Sequence, residues 1–310
     1  MVRATIMIDC GRHSGLGRVR RTLTLLDAFR SIDVQPRIFL SDEEGSSLVR
    51  ELGYNFEIGT PDDLSNDILI IDTCTQTPDE VSALCAKARV SCVIDDLGER
   101  PVCCDYIINP NLYAASIDYS AYKVGKVFHG PAHSLLSPEF FSQGSDAEKR
   151  EGIVISFGGT DTGRLAAAVA EQLSHRTSER IYVPVPDYLE PATSLVQLTS
   201  TSDNIVLLHS PSMPALLRKS RLYVGAAGAT VLEALASGCK VCVAATQDDQ
   251  ARNVEFLPSV GVPALDTFHA DAMAAMAEQL LHEDRPGFAF NMNAPLDIAT
   301  AALETYHQTA

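Results

Sequence analysis

The segment from Tyr223 to Asn253, YVGAAGATVLEALASGCKVCVAATQDDQARN, brings small residues, one carboxylate and two amides together at short spacing. An apolar strand over 222–224 is expected to run into the turn Gly225-Ala226-Ala227-Gly228 and then into a helix over 229–237. A second strand is expected over 240–245. Side chains as small as Ala227, Gly228, Ala229 and Thr230 leave backbone N–H groups uncovered at a helix N-terminus, which suits a phosphate. Glu233 falls one turn into that helix, where a carboxylate accepts hydrogen bonds from a sugar diol. The layout predicts a site for a nucleoside diphosphate carrying an activated sugar.

Three further constellations bear on that chemistry. Ser156-Phe157-Gly158-Gly159-Thr160-Asp161 repeats the logic, with a strand meeting paired glycines and then hydroxyl and acid residues able to cap a helix. A Gly-Gly turn also serves as plain structure, but two such corners in one domain would face each other across a pyrophosphate. Asp248 to Asn253 opens another helix and reads two ways. It is either an N-cap run built on Asp248 or Asp249, or it turns Gln250 and Asn253 toward sugar hydroxyls. The loop from Cys10 to Arg21 is glycine-rich and basic within an acidic chain. Gly15 and Gly17 let the backbone approach a ligand, although Arg20 stands where a dinucleotide fingerprint needs its third glycine. Arginines at a helix start oppose the macrodipole, so an anion or a partner carboxylate is expected beside Arg18 and Arg21. His13 in this loop, and His129 and His133 further on, are either packing residues or acid–base groups.

Strand-like runs alternate with helical patterns along nearly the whole chain, which argues for parallel sheets wrapped by helices. In the first half, strands are expected over 4–9, 37–40, 67–72, 91–95 and 106–109, with helices over 17–30, 43–52 and 78–88. Several of these strands end in Asp9, Asp72, Asp95 or Asn109, a polar fringe at the carboxyl ends where α/β sheets bind ligands. The polar run SQGSDAEKREG over 142–152 reads as a linker. A second series then follows, with strands over 153–157, 180–185 and 205–209 and helices over 162–174, 213–220, 270–282 and 295–306. The expected architecture is α/β, built on parallel sheets. Two doubly wound Rossmann-like domains, residues 1–141 and 152–310, would flank a cleft.

Composition removes other classes. With 310 residues, 46% of them hydrophobic, the chain can bury two cores. A net charge of −16 and few aromatics argue against nucleic-acid binding. No apolar run approaches the ~20 residues of a membrane span, and the N-terminus lacks a signal-peptide pattern, so a cytoplasmic location is expected. The eight cysteines sit in or beside predicted strands as small buried hydrophobes. Cys239 and Cys242 form a lone C-x-x-C without a second pair, so no metal site is expected.

Taken together these segments resemble the UDP-sugar hydrolases of pseudaminic-acid biosynthesis and, more distantly, the peptidoglycan N-acetylglucosaminyltransferases of GT-B fold. The first family opens with a strand ending in Asp, then I-G-x-G-H-x-x-R; Asp9 and Ser14 to Arg21 stand in those places. Its Asp-Asp-Leu segment is matched by Asp95-Asp96-Leu97, its G-P-x-Y-A-L-L-R-P-E-F by Gly130 to Phe140, and its S-F-G-G-[ST]-D by Ser156 to Asp161. The transferases' nucleotide site is matched by Gly225 to Glu233 and Asp249 to Asn253. The resemblance implies that the carboxy-terminal domain grips UDP, that the amino-terminal domain faces sugar and acceptor, and that the product enters a cell-surface glycan.

Departures shape the expected reaction. The family's water-activating histidine is Arg18 here, its tyrosine is His133 and its arginine is Ser137. A guanidinium stays protonated and cannot act as a general base. Losing a positioned base costs roughly 100- to 10,000-fold. The base has therefore moved, with His13, His133 and Asp9 as candidates, or water is not the acceptor. Glycosyl transfer from a UDP-sugar to an unidentified acceptor is expected over hydrolysis with a relocated base, and over binding without catalysis. No cofactor is expected.

Overall fold

Runs such as TIMI, ILII and VSCVI are close to continuously apolar, and strands of that kind need helices on both faces. In the computed structural model, which describes residues 2–9, 15–43, 46–51, 53–141, 150–158, 161, 163–284 and 287–309, they form the middle of a parallel sheet. Its strands are β1 (Arg3–Ile8), β2 (Gln35–Leu40), β3 (Glu57–Ile58), β4 (Asp67–Asp72), β5 (Val90–Ile94), β6 (Cys103–Asn109) and β7 (Lys123–His129). They lie in the order β3-β2-β1-β4-β5-β6-β7, so the order reverses between β1 and β4. Helices α1 (Gly15–Ser31), α2 (Ser46–Glu51) and α3 (Pro78–Cys85) connect the early strands. Val19, Leu23, Leu26 and Phe29 of α1 share a core with Ile6, Ile8, Ile70 and Ile94. Met7, Leu69, Ile71 and Val93 point to the other face, against Val81 and Leu84 of α3.

The second sheet contains β8 (Ile153–Ser156), β9 (Ile181–Val185), β10 (Ile205–His209), β11 (Leu222–Ala226), β12 (Lys240–Ala244) and β13 (Ala264–Leu265). Its order is β10-β9-β8-β11-β12-β13, with the reversal between β8 and β11. Around it run α4 (Arg164–Ser174), α5 (Thr193–Thr201), α6 (Met213–Lys219), α7 (Thr230–Ala236), α8 (Ala251–Phe256) and α9 (Ala270–Leu280). Val169, Ala170 and Leu173 of α4 pack with Met273 and Ala277 of α9 over Ile153, Ile155 and Val224.

The chain ends with α10 (Ala294–Gln308), and this helix corrects the expected division. The two compact units are Met1–Ser137 together with Ala289–Ala310, and Pro138–Phe288. Ile298, Ala299 and Ala302 of α10 are buried in the same core as α1. Tyr106 donates to the Ala301 carbonyl at 3.2 Å, and Arg89 lies 4.1 Å over the Tyr306 ring. The second domain therefore does not extend to residue 310, because the apolar stripe of α10 is covered by the first sheet. Most of the expected linker, residues 142–149, lies outside the described residues.

Candidate functional site

In the second unit, Ser156 pairs with Gly225 across neighbouring strands. The two small-residue corners that follow therefore leave the carboxyl edge side by side, at the reversal of strand order where open α/β sheets bind ligands. Gly158 adopts φ +98°, a region that favours glycine, and a Cβ built there would meet nothing within 4 Å. Gly225 has a different reason to lack a side chain: a Cβ would stand 2.0 Å from the Ser156 carbonyl oxygen and 2.4 Å from the Tyr223 hydroxyl. Ala227 is buried and donates to the Ala244 carbonyl at 3.1 Å. The amides of Gly228 and Ala229 make no hydrogen bond among the described residues. Thr230 begins α7, a helix of only seven residues, and Glu233 lies in its first turn, half-buried.

Gln250 and Asn253 are brought to this turn. The Asn253 amide donates to the Ala227 carbonyl at 2.8 Å, and the Gln250 side-chain oxygen accepts from the Thr246 amide at 3.0 Å. The Gln250 nitrogen is the nearest atom to a Cβ built on Gly228, at 3.7 Å. Both amides thus brace the turn through one side, and Gln250 presents its donor end to Gly228. The N-cap reading of Asp248 and Asp249 is corrected. These residues form a 3₁₀ turn with Gln250, and the residues at cap position are Gln247 and Gln250, without a side-chain cap bond. Asp161, by contrast, does cap: its carboxylate accepts from the Arg164 and Leu165 amides at 3.1 and 3.4 Å, and so occupies the start of α4. Gly159 and Thr160 lie outside the described residues. One open depression in this unit is lined by Ser174, His175, Arg176, Thr177, Ser178, Asp203 and Asn204. These residues precede β9 and β10 and so stand at the opposite, amino-terminal edge of the sheet.

In the first unit the reversal between β1 and β4 carries a network of charge. Gly15 and Gly17 belong to the first turn of α1 rather than to a loop, which turns Arg18 and Arg21 inward while Arg20 stays exposed. Arg21 donates to both oxygens of Asp72 at 2.9 and 2.8 Å and to both oxygens of Asp96 at 2.6 and 2.8 Å. Thr22 adds a bond to Asp72 at 2.7 Å. The anionic group expected beside the arginines is thus a pair of internal carboxylates. Arg18 stands 3.6 Å from Asp72, and its Nη1 is buried without a hydrogen-bond partner. Burial alone would weaken the charge on Arg18, but Asp72 and Asp96 overcome it and keep the guanidinium protonated. Burial would likewise raise the Asp96 carboxyl, and Arg21 reverses this and holds it below the usual range.

Asp9 is buried at the end of β1, and its Oδ2 accepts from the Cys74 amide at 2.6 Å and from the amide and hydroxyl of Thr75, both at 3.0 Å. His133 follows β7, with its ring 5.3 Å from that of Phe128 and its Nδ1 2.9 Å from the His129 carbonyl. A carbonyl only accepts, so Nδ1 carries the proton and Nε2 of the neutral ring is the basic nitrogen. His13 lies outside the described residues. Asp72 was expected as part of the strand-end fringe, whereas Asp96 and Tyr223 were given no chemical role by spacing. An acid ending a buried strand, and a tyrosine inside one, are the signals that point to them.

Among the described residues no group of His, Cys, Asp and Glu is arranged to hold a metal ion. Cys239 and Cys242 are buried and unbridged, and burial pushes the Cys242 thiol up to about 12. Among the described residues no helix is long and apolar enough to cross a membrane.

Among solved structures the chain is similar to the kitacinnamycin glycotransferase, with a TM-score of 0.63 at 14% identity over 99% of this chain and 95% of that one. It is also similar to MurG of Acinetobacter baumannii, with a TM-score of 0.58 at 13% identity over 98% of this chain and all of the other. The fold is GT-B. In sequence, the chain is 24% identical to the UDP-2,4-diacetamido-2,4,6-trideoxy-beta-L-altropyranose hydrolase of Campylobacter jejuni, over 70% of this chain and 76% of that one. It is 26% identical, over 78% of its length, to an uncharacterized protein of Methanocaldococcus jannaschii, and spans only 55% of that protein. No family model matches. The likeness to both the hydrolases and the transferases, read from the motifs, is present.

Proposed function

We propose that the chain is an enzyme that cleaves the glycosyl–diphosphate bond of a UDP-sugar, with transfer to an acceptor favoured over hydrolysis. The observation that carries this reading is the pairing of Ser156 with Gly225, which sets two small-residue corners together at the strand-order reversal of the second unit. The names of a sequence relative and of the structural neighbours support the same class. The backbone around Gly158 and the amides of Gly228 and Ala229 receive the diphosphate, and Glu233 accepts from the ribose diol. Preorganised donors of this kind stabilise the charge that develops on the leaving diphosphate.

The acceptor must also lose a proton. Arg18 cannot take it, since its neighbours keep it charged. His133 is the group in the first unit best prepared for the task, with the basic Nε2 left over from its bond to His129. Asp9, with one oxygen held by three donors, is the second candidate. Hydrolysis remains the second reading because the Campylobacter jejuni relative is named a hydrolase.

The test is incubation with UDP-N-acetylglucosamine and with a UDP-diacetamido-trideoxyhexose while free UDP is followed. Release only in the presence of acceptors from a cell extract supports transfer, and release without them supports hydrolysis. Uptake without turnover leaves a binding protein, and no uptake of UDP by calorimetry overturns the reading. His133→Ala is expected to slow turnover by roughly 100-fold or more with UDP binding kept. Glu233→Ala is expected to weaken UDP binding by at least about tenfold.

A further inference from the structure

Tyr223 lies in the middle of β11 and is only 1% exposed. A buried phenol needs a partner for its hydroxyl, and a strand otherwise made of Leu222, Val224, Gly225 and Ala226 supplies none. The hydroxyl reaches instead to the carbonyl of Ser156, the last residue of β8, at 2.9 Å. It can do so because residues two apart in a strand share a face and Gly225 leaves that face bare. A Cβ on Gly225 would lie 2.4 Å from the Tyr223 hydroxyl oxygen and 2.7 Å from the ring carbon that bears it. The ring therefore leans along Gly225 toward the carboxyl edge. There Thr230 and Glu233, at the start of α7, are further polar neighbours of its hydroxyl. One side chain thus touches the residue before the Phe157–Gly158 corner, the first glycine of the other corner and the helix that carries Glu233.

We propose that Tyr223 is a positioning residue for the diphosphate: its hydroxyl holds the two glycine corners in one register, so that both present their backbone to the same ligand group. This rests on the assignment of the nucleotide to the second unit. Tyr223 itself is sealed beneath the edge and touches no ligand. Its effect passes through the Ser156 carbonyl on one side and the Gly225–Gly228 turn on the other. Without the hydroxyl, β8 and β11 stay paired, but the corner after Ser156 is no longer pinned to the turn. The loss then falls on groups that bind both corners at once, namely the two phosphates, and spares the nucleoside.

The experiment compares UDP and uridine binding to the full-length protein and to Tyr223→Phe, with thermal unfolding of each. Tyr223→Phe is expected to raise the Kd for UDP by about tenfold, the worth of one buried hydrogen bond, and to leave the Kd for uridine unchanged. A lowered melting temperature with unchanged UDP affinity would make Tyr223 a packing residue and overturn the inference, as would equal weakening toward UDP and uridine. Amide exchange of the unsubstituted protein gives a readout that needs no variant. Residues 155–158 and 226–230 are expected to gain protection together, at one UDP concentration midpoint, and protection of only one corner overturns the inference. A protein that takes up no UDP at all overturns the functional assignment itself, an outcome distinct from unchanged affinity in the variant.

Discussion

At the scale of single residues, the first unit is governed by how two guanidinium groups and two carboxylates are shared. Arg21 satisfies both Asp72 and Asp96 with four hydrogen bonds, and its side chain is 16% exposed. Removing one member of such a buried set leaves uncompensated charge, a larger loss than the set contributes as a whole. Arg21→Ala is accordingly expected to destabilise the first unit by about 3–5 kcal/mol, measured by urea unfolding at pH 7. The pH dependence follows from the Asp96 carboxyl, which lies below its usual value in the folded protein. The unfolded chain binds the proton first, so this stabilisation is present above the ordinary carboxylate value of about 4. It is lost as pH falls through the lower folded value. An Asp96→Asn variant should be least stable relative to the unsubstituted protein above pH ~5 and approach it in acid. A gap that widens on acidification would contradict the assignment.

At the scale of elements, the helices and strands decide which motifs meet, and that is where the sequence was partly legible. DILIID, VSCVI and the Leu222–Ala226 strand could be read directly, because strands buried on both faces leave continuous apolar runs. Lys123–His129 could not, since an edge strand carries lysines and a glycine where a central one carries valines. Thr193–Thr201 was equally silent: Leu195 is its one buried residue, too little to make a helical stripe. The small-residue corner, Gln250 and Asn253 were found from spacing and do come together. The Arg21–Asp72–Asp96 network was missed as a network because its members are 51 and 75 residues apart, and only sheet order joins them. Gly225 shows how an element can require a residue for a reason that spacing misassigns. It was expected to admit a phosphate, but the close neighbours of its missing Cβ are Ser156 and Tyr223. Neither can yield, one being strand backbone and the other a buried ring. Gly225→Ala should therefore force β8 and β11 apart and cost about 3 kcal/mol, read as a lower urea midpoint. An unchanged midpoint would show that the corner can open at little cost.

At the scale of the whole molecule, the chain crosses from the first unit to the second and returns for its last helix. A helix supplied from the far end of the sequence makes the first core a product of long-range contact, whereas the second core is built from one continuous segment. The consequence can be tested at Ala302, which is 1% exposed and shares a core with Val19, Leu23, Phe29 and Ile70. A carboxylate placed there has no cation among those neighbours. Burying an unpaired charge is expensive enough that a helix would leave its seat rather than carry it. Ala302→Asp should therefore release α10 and expose the apolar face of α1. In amide exchange, residues of β1, β4 and β5 should lose protection by the equivalent of several kcal/mol, about 3–5. Residues of β8, β11 and β12 should keep theirs, because no side chain of α10 enters their core. UDP uptake should then survive in the variant while turnover is lost, since the second unit is assigned the nucleotide and the first the acceptor chemistry. Loss of protection in both sheets at once would mean that the two units unfold as a single cooperative body.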